Sequence, residues 1–441
     1  MTWLEVEEAV HRNLTLRLDA RSDRPIAVAF SGGGDSLALL IAARSWARRI
    51  GRPLISLTVD HGLSSESGAW TSWCARRVRD LEVEHRRLIW SGSKPATGIP
   101  AAARTARHRL LADAAREAGA SVILMGHTAD DRLEARLMRA EGSSVSEPRA
   151  WSPSPAWPHG RDIFLIRPLI GVRRETIRRG LRERGETWLE DPSNTSEASL
   201  RALVRMRIAG TGDPGPPDEP CCSQSLHRAA TVGWAGDIAL PLQALRSAPD
   251  AARTRFLRAA LSCAAGGAAS PRGAQIDRLW DRVSETRPTT ATLAGARIER
   301  NGDTVRMMRD DGSIREVAPA SGKSPVIFDG RFEIAGIPDG HVLTAMRGYM
   351  SRLDSAEHAR VRTAPPAARR SLPVWVDPRG ASRCPLIEKL GQGRVRNLVA
   401  ARLAAALGAV AVEAAIGRVG ETALGVLDMA ASTERSVHEP A

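Results

Sequence analysis

One short stretch of this chain has residue types that could manage a polyphosphate. It is Ser31-Gly32-Gly33-Gly34-Asp35-Ser36, set between the apolar run 26–30 and the run 37–50, which has helical length and composition. Three glycines permit positive φ and let backbone N–H groups close around an oxyanion. Ser31 and Ser36 add hydroxyl donors, and the amino terminus of the following helix adds partial positive charge. Asp35 points to Mg²⁺, because a carboxylate beside phosphates is repulsive unless a cation intervenes. The stretch lacks the Gly-Lys-Ser/Thr ending of a Walker A loop and does not match G-x-G-x-x-G, so neither of those sites fits. The plain alternative is a glycine turn with a Ser or Asp cap, and the strand-turn-helix setting weighs against it.

A second cluster, Gly126-His127-Thr128-Ala129-Asp130-Asp131, follows the apolar run 122–125. His127 and Asp131 are candidates for binding and proton handling, since a carboxylate there can ligate a metal or hold an ammonium group and accept its proton. A loop histidine with helix-capping aspartates is the competing reading.

The elements that must position these residues follow from periodicity. Strands are predicted at 26–30, 54–59, 83–89 and 122–125, with helices at 37–50, 69–81 and 101–118. This alternation predicts an α/β fold, a doubly wound parallel sheet of Rossmann-like type, followed by smaller helical and mixed α+β C-terminal regions. Ligands of such sheets bind beyond the carboxyl ends of the strands. The Ser- and Pro-dense segment 141–161 reads as a surface loop, and 210–220, GTGDPGPPDEP, as a linker. The expected division is a catalytic domain at 1–211, a linker at 212–221, a helical domain with a hairpin at 222–317, and a mixed region at 318–441. Within these, 240–265 reads as helix, 292–317 as a hairpin turning at Asn301-Gly302, and 394–431 as an Ala-rich helical tail.

The chain has 441 residues, with 63 Lys+Arg against 50 Asp+Glu and a net charge of +13. Only Lys94, Lys323 and Lys389 are lysines, so the surplus is arginine, a planar fork suited to phosphate. That composition permits a nucleic-acid partner, although a GC-rich genome would produce the same bias. The basic segment 167–184, with Arg174, Arg178 and Arg182 at i, i+4 spacing, is equally readable as an RNA-facing stripe or as a solvated helix. Five cysteines without a C-x-x-C pair exclude a disulfide framework and a cysteine metal site. Glu5, Glu7 and Glu8 stand where a signal peptide would be basic, and the apolar run 403–412 is half a membrane span. A cytoplasmic protein without a membrane partner is expected, its oligomeric state open.

SGGxDS after an apolar strand resembles the signature of the N-type ATP pyrophosphatases, or PP-loop superfamily. Further matches narrow the resemblance to the tRNA(Ile)-lysidine synthetase family. They are Val59-Asp60-His61-Gly62-Leu63; Ala103-Arg104 with Ala106-Arg107-His108; Gly126 through Asp131 with Glu134; Leu137-Met138-Arg139; Ile166-Arg167-Pro168-Leu169; and Trp188 through Asn194 with Arg201 and Arg205. The resemblance implies a ligase that uses ATP and Mg²⁺ to adenylate the wobble cytidine of an isoleucine tRNA with a CAU anticodon. Free L-lysine then displaces AMP to give lysidine.

It further implies Asp35, His127, Asp131 and Arg205 as catalytic, Ser31, Gly32, Gly33, Gly34, Asp35 and Ser36 as ATP-binding, and Asp35 and Asp131 as metal ligands. Arg201 and Arg205 would reach phosphate or the anticodon loop. The chain departs from the family at Ala140-Glu141-Gly142-Ser143, where an Arg-Gly-x-Gly stretch is usual. A PP-loop tRNA thiolase is the nearest rival, but the only adjacent cysteines, Cys221-Cys222, lie away from every motif. A non-catalytic tRNA-binding relative would be expected to have lost Asp35 or Asp131, and both remain. An amidotransferase-type synthetase acting on a small acid fits the segments after Leu137 less well.

Overall fold

A computed structural model of the chain describes residues 3–142, 145, 147–190, 215, 224–267, 270–285, 287–314, 325–387 and 395–417. The chain groups into two units, Met1–Glu219 with Ala411–Ile416, and Pro220–Val410 with Gly417–Ala441.

The first unit opens with helix α1 (Trp3–Arg17) and then alternates β1 (Ile26–Ala29), α2 (Gly34–Ile50), β2 (Leu54–Asp60), α3 (Ser67–Asp80), β3 (Glu84–Ile89), α4 (Ile99–Glu117), β4 (Val122–Leu124) and α5 (Ala129–Ala140). Among the described residues it continues with β5 (Trp151–Pro153), β6 (Phe164–Ile166) and α6 (Arg174–Glu183). The strands form one sheet in the order β3-β2-β1-β4-β6-β5, parallel except for β5. Successive side chains of a strand point to opposite faces. Ile26, Val28, Val122 and Leu124 accordingly join a core with α1 and α2, while Ala27 and Ile123 join a second core with Leu111, Ala112 and Ala115 of α4. Residues 37–43 are all buried, so the first half of α2 is covered on every side and lacks the one-sided pattern of a surface helix, which returns where Ser45, Arg48 and Arg49 are exposed. The sheet is therefore doubly wound, with β1 central and the glycine stretch at its carboxyl end.

Segment 141–161, expected to be loop, contains β5, which pairs antiparallel with β6 at the sheet edge. Trp151 stacks on Phe164 with ring centroids 4.9 Å apart, and Pro153 is tolerated because an edge strand leaves one row of backbone groups unpaired.

In the second unit β7 (Thr231–Val232), β8 (Ile238–Pro241), β9 (Thr289–Leu293), β10 (Ala296–Asn301) and β11 (Thr304–Arg309) form an antiparallel sheet in the order β7-β8-β11-β10-β9. The β10–β11 hairpin turns where Asn301-Gly302 predicts it, with Asn301 opposite Thr304. The expected helix 240–265 is instead the end of β8 followed by helices Leu242–Ser247 and Asp250–Ala265, because Pro241 and Pro249 interrupt it. Two further three-stranded sheets lie between 326 and 397. Of the Ala-rich tail, Leu398–Leu407 is helix and stops at Gly408, whose φ is 82°. Among the described residues no helix is long and apolar enough to cross a membrane.

Ala411–Ile416 closes back on the first unit through a buried ion pair. Arg52 Nη1 donates to Glu413 Oε2 at 2.8 Å, and Glu413 Oε1 also accepts from Ser121 Oγ at 3.1 Å.

Candidate active site

The glycine stretch leaves β1 at Ala29 and enters α2 at Gly34. Gly32 has φ 84°, and a Cβ there would lie 2.9 Å from Leu189 Cδ1 and 3.0 Å from Cys74 Sγ. Glycine is thus required twice over, by backbone conformation and by space. Ser36 Oγ donates to the Gly33 carbonyl at 2.8 Å and accepts from the Ser31 amide at 3.2 Å, folding the loop on itself. Trp70 Nε1 donates to the Ser31 carbonyl at 2.9 Å, and the Leu189 amide to the Gly32 carbonyl at 3.0 Å. The Trp188-Leu189 part of the family motif therefore braces this loop. Trp188 packs its indole 3.4 Å from where a Gly34 Cβ would be. The loop after β4 presses on the same turn: a Cβ at Gly126 would stand 3.1 Å from the Ser36 amide nitrogen.

Asp35 lies in the first turn of α2, and Asp131 is N3 of α5, where its Oδ2 accepts from the Thr128 amide at 2.8 Å and the Thr128 hydroxyl at 3.0 Å. Both meet Arg174, at the start of α6. Arg174 Nε donates to Asp35 Oδ2 at 2.9 Å, and its Nη groups stand 3.5 Å from Asp131 Oδ1 and 3.3 Å from Glu134 Oε1. The Arg174 amide is itself held by Asp130 Oδ2 at 2.7 Å. Burial pushes the Asp35 carboxyl up to about 6, and Arg174 resists that shift. Burial works against the charge of Arg174, yet Asp131 and Asp35 more than offset it, so its net shift is upward. Sequence reading left Arg174, Arg178 and Arg182 open between an RNA-facing stripe and a solvated helix, and the fold turns Arg174 into the carboxylate cluster. Arg178 pairs with Glu190 at 3.0 Å and Arg182 with Glu175 at 3.1 Å. The stripe is interrupted by acids at every step.

His127 and Asp131 line the same cleft as Ser31, Gly33, Asp35 and Ser36. The cleft, about 1310 Å³, exceeds the roughly 300–1,000 Å³ of a site for one small ligand, which leaves room for a nucleotide and a second reactant. Arg104 and Arg107 of α4, part of the Ala103-Arg104 and Ala106-Arg107-His108 matches, line it as well and supply positive charge. His61 borders it with Nδ1 buried and unbonded, and burial, aided by Arg107, lowers its proton affinity. Arg205, Arg201 and residues 191–194 lie outside the described residues.

Mg²⁺ is usually held by one or two carboxylates completed by phosphate oxygens and water. Asp35 Oδ1 is buried with no hydrogen-bond partner, an oxygen left over for such a cation. Among the described residues no group of three His, Cys, Asp or Glu side chains could hold a metal alone, and Asp35 Oδ1 fits a cation whose other ligands are phosphate oxygens and water.

The chain is similar to known proteins along most of its length. Residues 6–211 match the family described as PP-loop domain, and residues 240–303 the family described as TilS substrate binding domain. A Caulobacter vibrioides protein named tRNA(Ile)-lysidine synthase is 42% identical over 414 residues, covering 91% of this chain and 97% of the relative. A Hyphomonas neptunium protein of the same name is 38% identical over 296 residues, covering 64% of this chain and 80% of the relative. Among solved structures, the U34-tRNA thiolase NcsA from Methanococcus maripaludis is similar with a TM-score of 0.40 and 17% identity, over 47% of this chain and 72% of that one.

Proposed function

The chain belongs to the tRNA(Ile)-lysidine synthase family, an ATP-using family acting on tRNA(Ile), and from that premise we propose how its own residues carry the reaction. ATP binds at the 31–36 loop, the wobble cytidine of a CAU anticodon presents its C2 oxygen to the α-phosphorus, and free L-lysine enters beside Asp131. The observation that carries this reading is the convergence of Asp35 and Asp131 at Arg174 in the cleft floored by the glycine loop, with the buried Glu134 as a further partner of Arg174.

In the first step the cytidine C2 oxygen bonds to the α-phosphorus and pyrophosphate leaves. Negative charge grows on the departing group. The loop amides, the Ser31 hydroxyl and the amino terminus of α2 are fixed in advance to meet it, while the Ser36 hydroxyl, donating to the Gly33 carbonyl, holds the loop in shape. Asp35, with its spare Oδ1, would hold Mg²⁺, which supplies charge neutralisation on the phosphates. In the second step the lysine ε-nitrogen bonds to C2 and the C2–oxygen bond breaks, releasing AMP. Asp131 holds the incoming ammonium and accepts its proton, since an ionised carboxylate is acceptor-only. Arg104 and Arg107 contribute a cationic wall for tRNA phosphate. Arg205 belongs to the same proposal as a phosphate contact.

Incubation with ATP, isotope-labelled lysine and an isoleucine tRNA bearing CAU, followed by mass analysis of the wobble nucleoside, tests this reading. The expected product is a cytidine carrying the labelled lysine with AMP and pyrophosphate released. AMP formation that needs a sulfur donor in place of lysine would overturn it.

A further inference from the structure

Arg167 fixes more at His127 than the orientation of its ring. Arg167 Nε donates to His127 Nδ1 across 3.3 Å. Its Nη1 is anchored on the far side by the Arg149 carbonyl at 2.7 Å and Ser152 Oγ at 2.9 Å, and the residue is only 6% exposed. A guanidinium has five donors and no acceptor, so the nitrogen facing it must present a lone pair. A neutral imidazole has one N–H, and with Nδ1 accepting, that proton sits on Nε2. An imidazolium would set an Nδ1–H against the Arg167 N–H. It would also add charge to a wall that already holds Arg104 and Arg107.

We infer that Arg167 is a positioning residue that locks His127 in the Nε2–H tautomer, making His127 a hydrogen-bond donor to the reacting phosphates and not a proton acceptor. The role given to His127 rests on the reading of this cleft as the ATP site; the tautomer does not. It separates two functions that sequence reading left joined at His127 and Asp131. A preorganised neutral donor suits the charge that develops on phosphate oxygens. The proton of lysine then passes to Asp131. Arg167 itself, part of the basic segment 167–184, is buried behind the site and does not face solvent.

The test uses the full chain labelled with ¹⁵N-histidine, without nucleotide, at neutral pH, with the His127 signals assigned by their loss in His127→Gln. The expected spectrum shows Nδ1 unprotonated and Nε2 protonated. A protonated Nδ1, alone or with Nε2, overturns the inference. A kinetic cycle adds a readout that a purely structural role would not reproduce. Arg167→Gln should lower kcat/KM for ATP about 10- to 100-fold in the wild-type background. In the His127→Gln background, where there is no tautomer to set, the same change should cost no more than about twofold. Equal losses in both backgrounds would overturn the positioning role. The spectrum needs no Arg167 variant and no turnover, so it is decided separately from the lysidine assignment.

Discussion

Arg174 Nε meets Asp35 Oδ2 at 2.9 Å across 139 positions of sequence, joining the first turn of α2 to the first turn of α6. The same guanidinium stands within 3.5 Å of Asp131 and within 3.3 Å of Glu134, whose side chain is 1% exposed. One cation thus pairs with three carboxylates, two of which, Asp35 and Asp131, line the cleft. Its charge opposes the rise that burial imposes on the Asp35 carboxyl.

Arg174→Met should take one cationic partner from each of those carboxylates and lower stability by about 2–3 kcal/mol, below the range for a fully buried pair because Arg174 keeps some solvent contact. Urea unfolding measures the loss. Adding Glu134→Gln should restore part of the stability while activity stays low. If the double variant is no more stable than Arg174→Met, the carboxylates are not what Arg174 balances.

Asp35→Ala removes the spare buried oxygen and should abolish AMP release while tRNA affinity changes less than about twofold. Filter binding and AMP release measured on the same preparation separate the two. Retained turnover would remove Asp35 from the ATP site.

Much of this site is legible in the sequence because it is local. Strand, glycine turn and helix are adjacent in the chain, so 31–36 can be read without knowing the fold, and His127 to Asp131 likewise follow a strand end. Arg174 and Arg167 are not legible in that way. Helical spacing says which residues share a face, but not which neighbour that face meets. Here Gly180 of α6 packs against Trp3, with its would-be Cβ 3.2 Å from the Trp3 Cα, and this close seating helps orient Arg174 toward Asp35. Strand β5 was hidden for a different reason. Its proline signals loop, and only the stack of Trp151 on Phe164 and an edge position make a strand possible. The Glu413 contact is invisible to any local pattern, since its partner Arg52 lies 361 positions away.

Gly126→Ala would place a methyl group 3.1 Å from the Ser36 amide and 3.2 Å from the Asp35 carbonyl carbon. Neither neighbour is a flexible side-chain end, so the two loops must separate. The expected result is a stability loss of about 1–3 kcal/mol and a KM for ATP raised about tenfold, because the loop amides lose their aim. Isothermal titration with a non-hydrolysable ATP analogue reads the binding part, and unchanged affinity would show that the loops do not need this contact.

Glu413→Ala should strip Arg52, whose side chain is 1% exposed, of its carboxylate partner. Removing one member of such a pair costs about 3–5 kcal/mol, since the remaining charge stays buried. The double replacement Arg52→Met with Glu413→Leu should be more stable than Glu413→Ala, because no charge is then left uncompensated. Equal unfolding midpoints for wild type and Glu413→Ala would mean that the 411–416 segment adds nothing to the first unit.

His108 gives the fold a pH dependence of defined sign. Burial, reinforced by Arg107 and Arg104, pushes its imidazole down to about 3 from an ordinary 6.5, and its Nε2 is buried without a hydrogen-bond partner. The folded protein therefore holds this ring neutral, while the unfolded chain takes up a proton below about 6.5. Between those values the unfolded state binds more protons, so stability must rise with pH across that window. The contribution of His108 is complete above 6.5 and is progressively lost as pH falls toward 3. His108→Leu, which cannot take up that proton in the unfolded state, should flatten the fall in urea midpoint between pH 7 and pH 5. If wild type and His108→Leu lose stability in parallel over that interval, protonation of other groups accounts for the acid sensitivity and His108 is not its source.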